Sequence, residues 1–341
     1  MAVGLATGLR RRQSLDDLSA ASREVDFSVY ADDARGEIDF SRQFVCPTAT
    51  PLYYTEIYQT LTDRQQLRYN QLCGLAFNEL VSLFESQFAD RVLRAVANVA
   101  RQEGEETLLQ CVTHFQREEE HHTQAWKQLC ELTDARRYSS GPYPITQPSP
   151  VGVRFLHYIA ARPLRFPAIL WVMLALEEKA LDTARRCLQM PRDDLDPVYR
   201  QMYARHAHDE ARHVQVDWHF IDTYYPRLSP ARRRRTAWLV AKLLGEVFLR
   251  PARSAKRVVA CLLAEFPELQ DRRKEFDQQL DGLMQCEAYH AMMYSRRGSP
   301  ILFSLFDQYP EMHRMEAVLL SYRVHERNRI DPEEVGDRSD D

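Results

Sequence analysis

Glycine is scarce in this chain, with 11 among 341 residues. A fold built on many tight turns needs more, and no run of alternating apolar and polar residues long enough for a strand accompanies the shortage. Long hydrophobic runs are missing as well. The longest, residues 168–176, is about half the length of a membrane span, which argues against a transmembrane protein. None of the cysteines, at positions 46, 73, 111, 130, 187, 261 and 286, stands in C-x-x-C spacing. They read as reduced core thiols of a cytoplasmic protein. No G-x-G-x-x-G or other dinucleotide loop is present, so the chain carries no visible site for a nicotinamide or flavin reductant. No secretory signal is visible, because the short apolar stretch Ala2–Leu9 precedes Arg10–Arg12 instead of following it. Finally, a net charge of −4 argues against nucleic acid or an anionic membrane as a general partner.

What is abundant is Leu, Ala, Arg, Glu and Gln, a composition for helices. Leu61-Thr62-Asp63 caps a helical pattern reaching about Val96, with Leu72, Leu75, Leu80, Val81, Phe84, Phe88 and Val92 as its apolar positions. After Gln102–Gly104 a second helix runs to about Thr133. Its stripe is Leu108, Val112, Phe115, Glu119, His122, Trp126 and Leu129, so that Glu119 and His122 stand where core residues belong. The Pro- and Ser-rich stretch 139–150 suits neither helix nor strand and reads as part of a long crossover. Residues 167–188 and 199–224 form a third and a fourth helix on either side of the break at Pro191–Pro197. Hairpin, long crossover, hairpin is the ferritin-like variant of the four-helix bundle. The chain therefore reads as all-α, with a mobile arm over 1–45 and one domain over 46–330. In that domain the bundle covers about 61–225 and extra helices about 229–325. An acidic, disordered tail is expected over 331–341.

Within this frame His206-Ala-His-Asp-Glu210-Ala-Arg-His213 concentrates the chemistry. At 100° per residue, His206, Glu210 and His213 point within roughly 60° of one another. Glu119-Glu-His-His122 supplies a second Glu-x-x-His. One such segment is mostly coincidence. Two, on core stripes of a helical bundle, are the pattern of a two-metal carboxylate centre. Ligands on hairpin-related helices should lie equally far from their turn. Glu178 and Glu210 sit about 16 residues either side of residue 194, and Glu119 about 17 residues beyond residue 102. Its mirror position is Glu85. Glu79 is displaced by a further six residues, roughly 9 Å along the axis. Glu177 and Glu178 both lie near apolar stripes, and Glu178 continues the Trp171, Leu174, Leu181 spacing. The candidate ligands are thus Glu85, Glu119, His122, Glu178, His206, Glu210 and His213. Four carboxylates balance two divalent cations, and oxygen-rich ligation with imidazole suits iron, with manganese behind it, over structural zinc. Asp209, Glu118 and Asp182 are placed to orient ligand imidazoles from outside. His114, Glu120, His121 and His208 read as surface neighbours, Arg232–Arg235 as a solvated face, and the tyrosines of 51–58 as packing. Arg185 is either a rim arginine or a buried cation for a substrate carboxylate.

With its extra histidine one turn before the second Glu-x-x-His, the set resembles the non-haem di-iron arylamine N-oxygenases, the p-aminobenzoate N-oxygenase type. Ribonucleotide reductase small subunits, multicomponent monooxygenases and soluble desaturases share the two Glu-x-x-His segments but usually carry only two histidines. The likeness covers about 50–320. It implies that the seven candidates hold two irons, cycling between Fe²⁺ and Fe³⁺ with oxo or peroxo bridges. It further implies that O₂ is used to oxidise a primary amine, aromatic by analogy, to hydroxylamine, nitroso or nitro products in antibiotic-type specialised metabolism. Electrons would come from a separate ferredoxin or reductase, and a homodimer is the default assembly. Two other readings remain open. One is C-hydroxylation or desaturation on the same centre; the other is a non-catalytic metal-binding or storage bundle.

Overall fold

The computed structural model describes residues 12–25, 36–250 and 253–322. Among them no strand forms. One isolated parallel bridge joins Gln43 to Leu195, and no described helix is long and apolar enough to cross a membrane.

Leu15–Arg23 forms α1. Asp63–Phe84 forms α2, opened by a reciprocal cap: Thr62 Oγ1 accepts from the Gln65 N–H while the Gln65 side chain accepts from the Thr62 N–H. The rod continues through a π-helical turn, Glu85–Ala89, into α3, Asp90–Glu103. Gly104, at φ +72°, ends it in a left-handed conformation that costs glycine little. Helix α4, Glu106–Tyr138, returns antiparallel and is bent at Asp134. The crossover then carries a helix of its own, α5 (Pro150–Ala160), N-capped by Ser149. Helix α6, Ala168–Leu188, and α7, Pro197–Tyr224, form the second hairpin; the Asp196 carboxylate accepts from the N–H groups of Val198 and Tyr199 to start α7. Helices α2 and α3 pack on α4, α6 packs along α7, and α4 faces α7. This is the expected all-α, ferritin-like arrangement.

The later helices buttress that bundle. Helix α8 (Pro230–Lys242) leads through a second π-helical segment, Leu243–Leu249. It is followed by α9 (Arg253–Glu265), α10 (Arg273–Gly282), α11 (Glu287–Met293) and α12 (Pro300–Gln308), and by a 3₁₀ segment at Pro310–Ala317. Helix α9 lies on α2, where Arg68 grips both oxygens of Glu265 at 2.5 and 2.9 Å. Helices α8 and α12 lie on α6. One apolar core runs from Leu18 to Tyr322.

The expected N-terminal arm needs correcting where it is described. Helix α1 packs on α4 and α7 with Leu18 buried, and Arg12 pairs with Asp222 at 2.7 Å. Farther along, Phe44 stacks on Tyr199 with ring centroids 4.3 Å apart, seated against Gly74, where a Cβ would come within 2.5 Å of the Phe44 Cβ. Apolar anchors spaced widely along a polar stretch leave no periodic pattern, which is why the sequence conceals them. The remainder of the expected arm and the acidic tail lie outside the described residues.

Candidate metal centre

Six of the seven candidate ligands meet between the rods. Glu85 opens the π turn between α2 and α3; α4 supplies Glu119 and His122; α7 supplies His206, Glu210 and His213. None is more than 2% exposed. His206 Nε2 lies 3.2 Å from Glu85 Oε1 and 3.0 Å from Glu210 Oε1. His213 Nδ1 lies 3.1 Å from Glu119 Oε1 and 3.5 Å from Glu210 Oε1. His122 Nδ1 stands between the two groups, 3.6 Å from Glu119, 3.8 Å from Glu210 and 3.9 Å from Glu85. Two overlapping sets result, Glu85–His122–His206–Glu210 and Glu119–His122–Glu210–His213. In each set the donor atoms lie within 4.8 Å of one another. A π turn inserts one residue into the helical register and is a frequent device at functional sites, here at the residue that reaches the cluster.

Outside the cluster, two imidazoles are held in a reciprocal exchange. His122 of α4 gives its Nε2 to Asp209 of α7 at 3.0 Å, and His213 of α7 gives its Nε2 to Glu118 of α4 at 2.8 Å. A carboxylate can only accept, so each Nε2 carries a proton and each Nδ1 faces inward. The Arg212 guanidinium spans both carboxylates, 2.9 Å from Glu118 and 2.6 Å from Asp209. His206 is positioned by packing instead, edge-on to Trp126 at 5.0 Å and to His122 at 4.7 Å.

Glu178, expected among the ligands, is elsewhere. Its two oxygens accept from the backbone N–H groups of Ile301 and Leu302, both at 2.9 Å, capping the start of α12. Its neighbour Glu177 turns toward the cluster, beside Glu210 and Glu119. Periodicity misled here because α6 is apolar on every side: Ala168–Ala175 are all nearly inaccessible, so no stripe marks the inward face. No feature of the sequence separates the two glutamates; only the distant α12 does. Glu79, the rival of Glu85, is also accounted for. It accepts from Tyr138 Oη, from the N–H groups of Ile145 and Thr146 and from Thr146 Oγ1, pinning the crossover.

The electrostatics are those of a crowded anionic hole. Burial, then the Glu119 charge, pushes Glu85 up to about 8. Burial, then Glu210 and Glu119, pushes Glu177 well above the carboxylate range. Burial alone would lower the His206 imidazole, but Glu210 and Glu85 override it and hold it at about 10. Protons thus compensate the four carboxylates when no cation does. Both Glu119 oxygens, Glu177 Oε1, Glu210 Oε2 and His213 Nδ1 make no hydrogen bond though fully buried. Orphaned donor atoms of this kind, each costing on the order of 1–3 kcal/mol, fit a site that receives cations. Hard oxygens with three imidazoles favour iron or manganese. Asp217, one turn past His213, is a buried carboxylate the sequence reading missed; neither of its oxygens finds a hydrogen bond.

A cavity of about 340 Å³ opens onto this cluster, lined by Glu85, Glu177, His206 and Glu210 at one side and otherwise mostly by apolar side chains, Phe77, Val81, Phe84 and Leu176 among them. Arg185 does not line it. That guanidinium lies near Asp182 and Glu178 instead. Asp182 likewise orients no imidazole; it pairs with Arg186 at 2.7 Å. Glu120 and His208 are exposed, His114 and His121 half-buried. Arg233 pairs with Glu311 at 3.3 Å, and Tyr54 donates to the Thr48 carbonyl at 2.6 Å.

Residues 9–282 match the family described as p-aminobenzoate N-oxygenase AurF. No curated protein matches the chain. The chain belongs to the AurF family, and by that membership it is an oxygenase.

Proposed function

We propose that this family member holds two irons between Glu85, Glu119, His122, Glu177, His206, Glu210 and His213, and uses them with O₂ to oxidise the nitrogen of a primary aryl amine. Glu177 replaces Glu178 in the set inferred from sequence. The observation that carries the reading is the pattern of hydrogen bonding. The outward nitrogens of His122 and His213 are tied to carboxylates, while inward atoms of Glu119, Glu177, Glu210 and His213 make no hydrogen bond around one small volume. A scaffold with incidental buried charge would have satisfied both sides.

When bound, the iron pair would relay electrons and supply the activation of O₂ that no side chain provides. The chain's own residues do the rest. Glu118 and Asp209 orient two imidazoles toward the cluster, and Arg212 pairs with both of those carboxylates. Phe77, Val81, Phe84 and Leu176 exclude water from the approach to Glu85 and Glu177 and offer an aromatic ring a flat apolar slot. The amine then meets the cluster from the one side open to the cavity. For the first oxidation, amine plus O₂, two electrons and two protons gives hydroxylamine and water. The electrons come from an external ferredoxin or reductase, since the chain has no dinucleotide loop. Action in the cytoplasm as a homodimer, within antibiotic-type metabolism, belongs to the same reading.

The test is direct. Iron-loaded protein, chemically reduced and exposed to ¹⁸O₂ with an aryl amine, should yield a product with label on nitrogen, detected by mass spectrometry. Label on carbon would move the assignment to a C-hydroxylase. Far fewer than two irons per chain and no product would leave only a binding bundle.

A further inference from the structure

Oxidising an amine in this way takes up protons and releases water, yet the cavity that receives the amine is walled mostly by apolar side chains, which carry neither. A second cavity, of about 240 Å³, lies against another face of α2. Phe77, Val81 and Phe84 face the amine, whereas Asn78 and Ser82 face this second space together with Trp126 and Cys130 of α4. Its outer end is bordered by Lys127, half-buried, and by Glu131 and Ser139, both exposed. Tyr138 and Glu79 line it too but are spent on each other, at 2.9 Å. Three other polar atoms of its wall, Asn78 Oδ1, Ser82 Oγ and Trp126 Nε1, make no hydrogen bond. Their residues are 0%, 2% and 0% exposed. An acceptor, a hydroxyl and a donor left open around one space suit water, which can serve all three. The inner end of the cavity meets the cluster. Ser82 stands one turn before Glu85 on α2, and Trp126 one turn beyond Thr123 on α4. Thr123 Oγ1 donates across the gap between those rods to Glu85 Oε2 at 3.1 Å. The Trp126 ring, which lines the cavity, is edge-on to His206 at 5.0 Å.

We propose that this second cavity is a hydrated inlet, through which water and the protons consumed in turnover reach the Glu85 side of the cluster, with Ser82 and Thr123 as its hydroxyl-bearing steps. Amine and protons then arrive along different faces of α2, and the apolar walls that shelter the amine need not conduct anything. The hydration follows from the cavity itself. Its use in turnover rests on the cluster being the site of O₂ chemistry.

Trp171 supplies an internal control. It too is 0% exposed with an unbonded Nε1, but it packs against Tyr225, Phe306 and Tyr309 and lines neither cavity. In metal-free protein labelled with ¹⁵N-tryptophan, the Trp126 indole N–H should exchange with D₂O at least about 10-fold faster than that of Trp171. Ser82→Leu, which fills the space with an apolar side chain, should collapse that ratio. In reduced, iron-loaded protein mixed with O₂ and amine, the same variant should slow iron oxidation about 10-fold and increase its solvent deuterium isotope effect. Thr123→Val should slow it likewise while leaving the exchange ratio intact, and Thr123→Ser, which keeps the hydroxyl, should restore the rate. Equal exchange at Trp126 and Trp171 would overturn the proposal. So would a wild-type rate of iron oxidation in Thr123→Val, or in a Ser82→Leu protein whose exchange ratio has collapsed. If these effects hold but label from ¹⁸O₂ appears on carbon, the inlet stands and the reading as an N-oxygenase fails.

Discussion

Two pairs of glutamates come from the same two rods and are equally buried, yet they do opposite things. Glu79 and Glu178 spend their oxygens on backbone N–H groups of the crossover and of α12, where they act as rivets. Glu85 and Glu177 turn into the space between the rods, where Glu85 meets the side chains of Thr123 and His206 and Glu177 lies beside Glu210. Burial and helical spacing are common to both pairs. What separates them is whether a distant segment brings donors, and that depends on how the crossover and the C-terminal helices return.

Substitutions should split the pairs. Glu177→Ala is expected to have the largest effect. Iron should fall from two per chain to about one by metal analysis and N-oxygenation should drop below detection, while Glu178→Gln keeps both irons. Next, Glu178→Gln and Glu79→Gln should each lower unfolding free energy by about 2 kcal/mol, because the amide NH₂ that replaces one oxygen would face a backbone N–H, donor against donor. Chemical denaturation reads this, and Glu177→Gln should not reproduce it in the metal-free protein. Smaller again, Glu118→Gln should weaken iron binding about 10–100-fold in chelator competition, by loosening His213 without removing a ligand.

The gentlest probe is pH. Burial holds the metal-free Glu85 and Glu178 up at about 8, against ordinary values near 4.5, and nearby carboxylates hold His206 at about 10. A raised carboxyl binds its proton more tightly folded than unfolded, so its contribution is lost as pH climbs from about 4.5 to about 8. The raised imidazole loses its contribution between about 6.5 and about 10. The melting temperature of metal-free protein should therefore fall steadily from pH 5 to pH 9. Iron displaces the protons of Glu85 and His206, so the loaded protein should show a shallower slope that retains the Glu178 part. A metal-free protein that grows more stable over this range would contradict the charge assignment of the cluster.

Much of this was legible beforehand, for identifiable reasons. The bundle order follows from caps, breaks and 3.6-residue stripes. Glu119, His122, His206, Glu210 and His213 stood on those stripes or in a repeated local motif. Glu85 yielded to counting from the turn, although the π turn that begins with it leaves no trace in composition. Glu177 did not yield, because a helix apolar all round offers no direction. The packed arm and the anchoring role of Glu79 rest on contacts distant in the chain, as with Ile145 and Thr146, which lie 66 and 67 residues beyond Glu79. Local pattern carries no information at that range.

The exchange between Glu118 and Asp209, closed by Arg212, has a consequence for assembly. Each of the two rods α4 and α7 lends the other a carboxylate, and one guanidinium stitches the loans together, all on the far side of the imidazoles from the hole. The gap between the rods is thereby gauged in advance by groups that lie outside the cluster. Loading becomes a matter of trading protons for ions in a socket already cut to size.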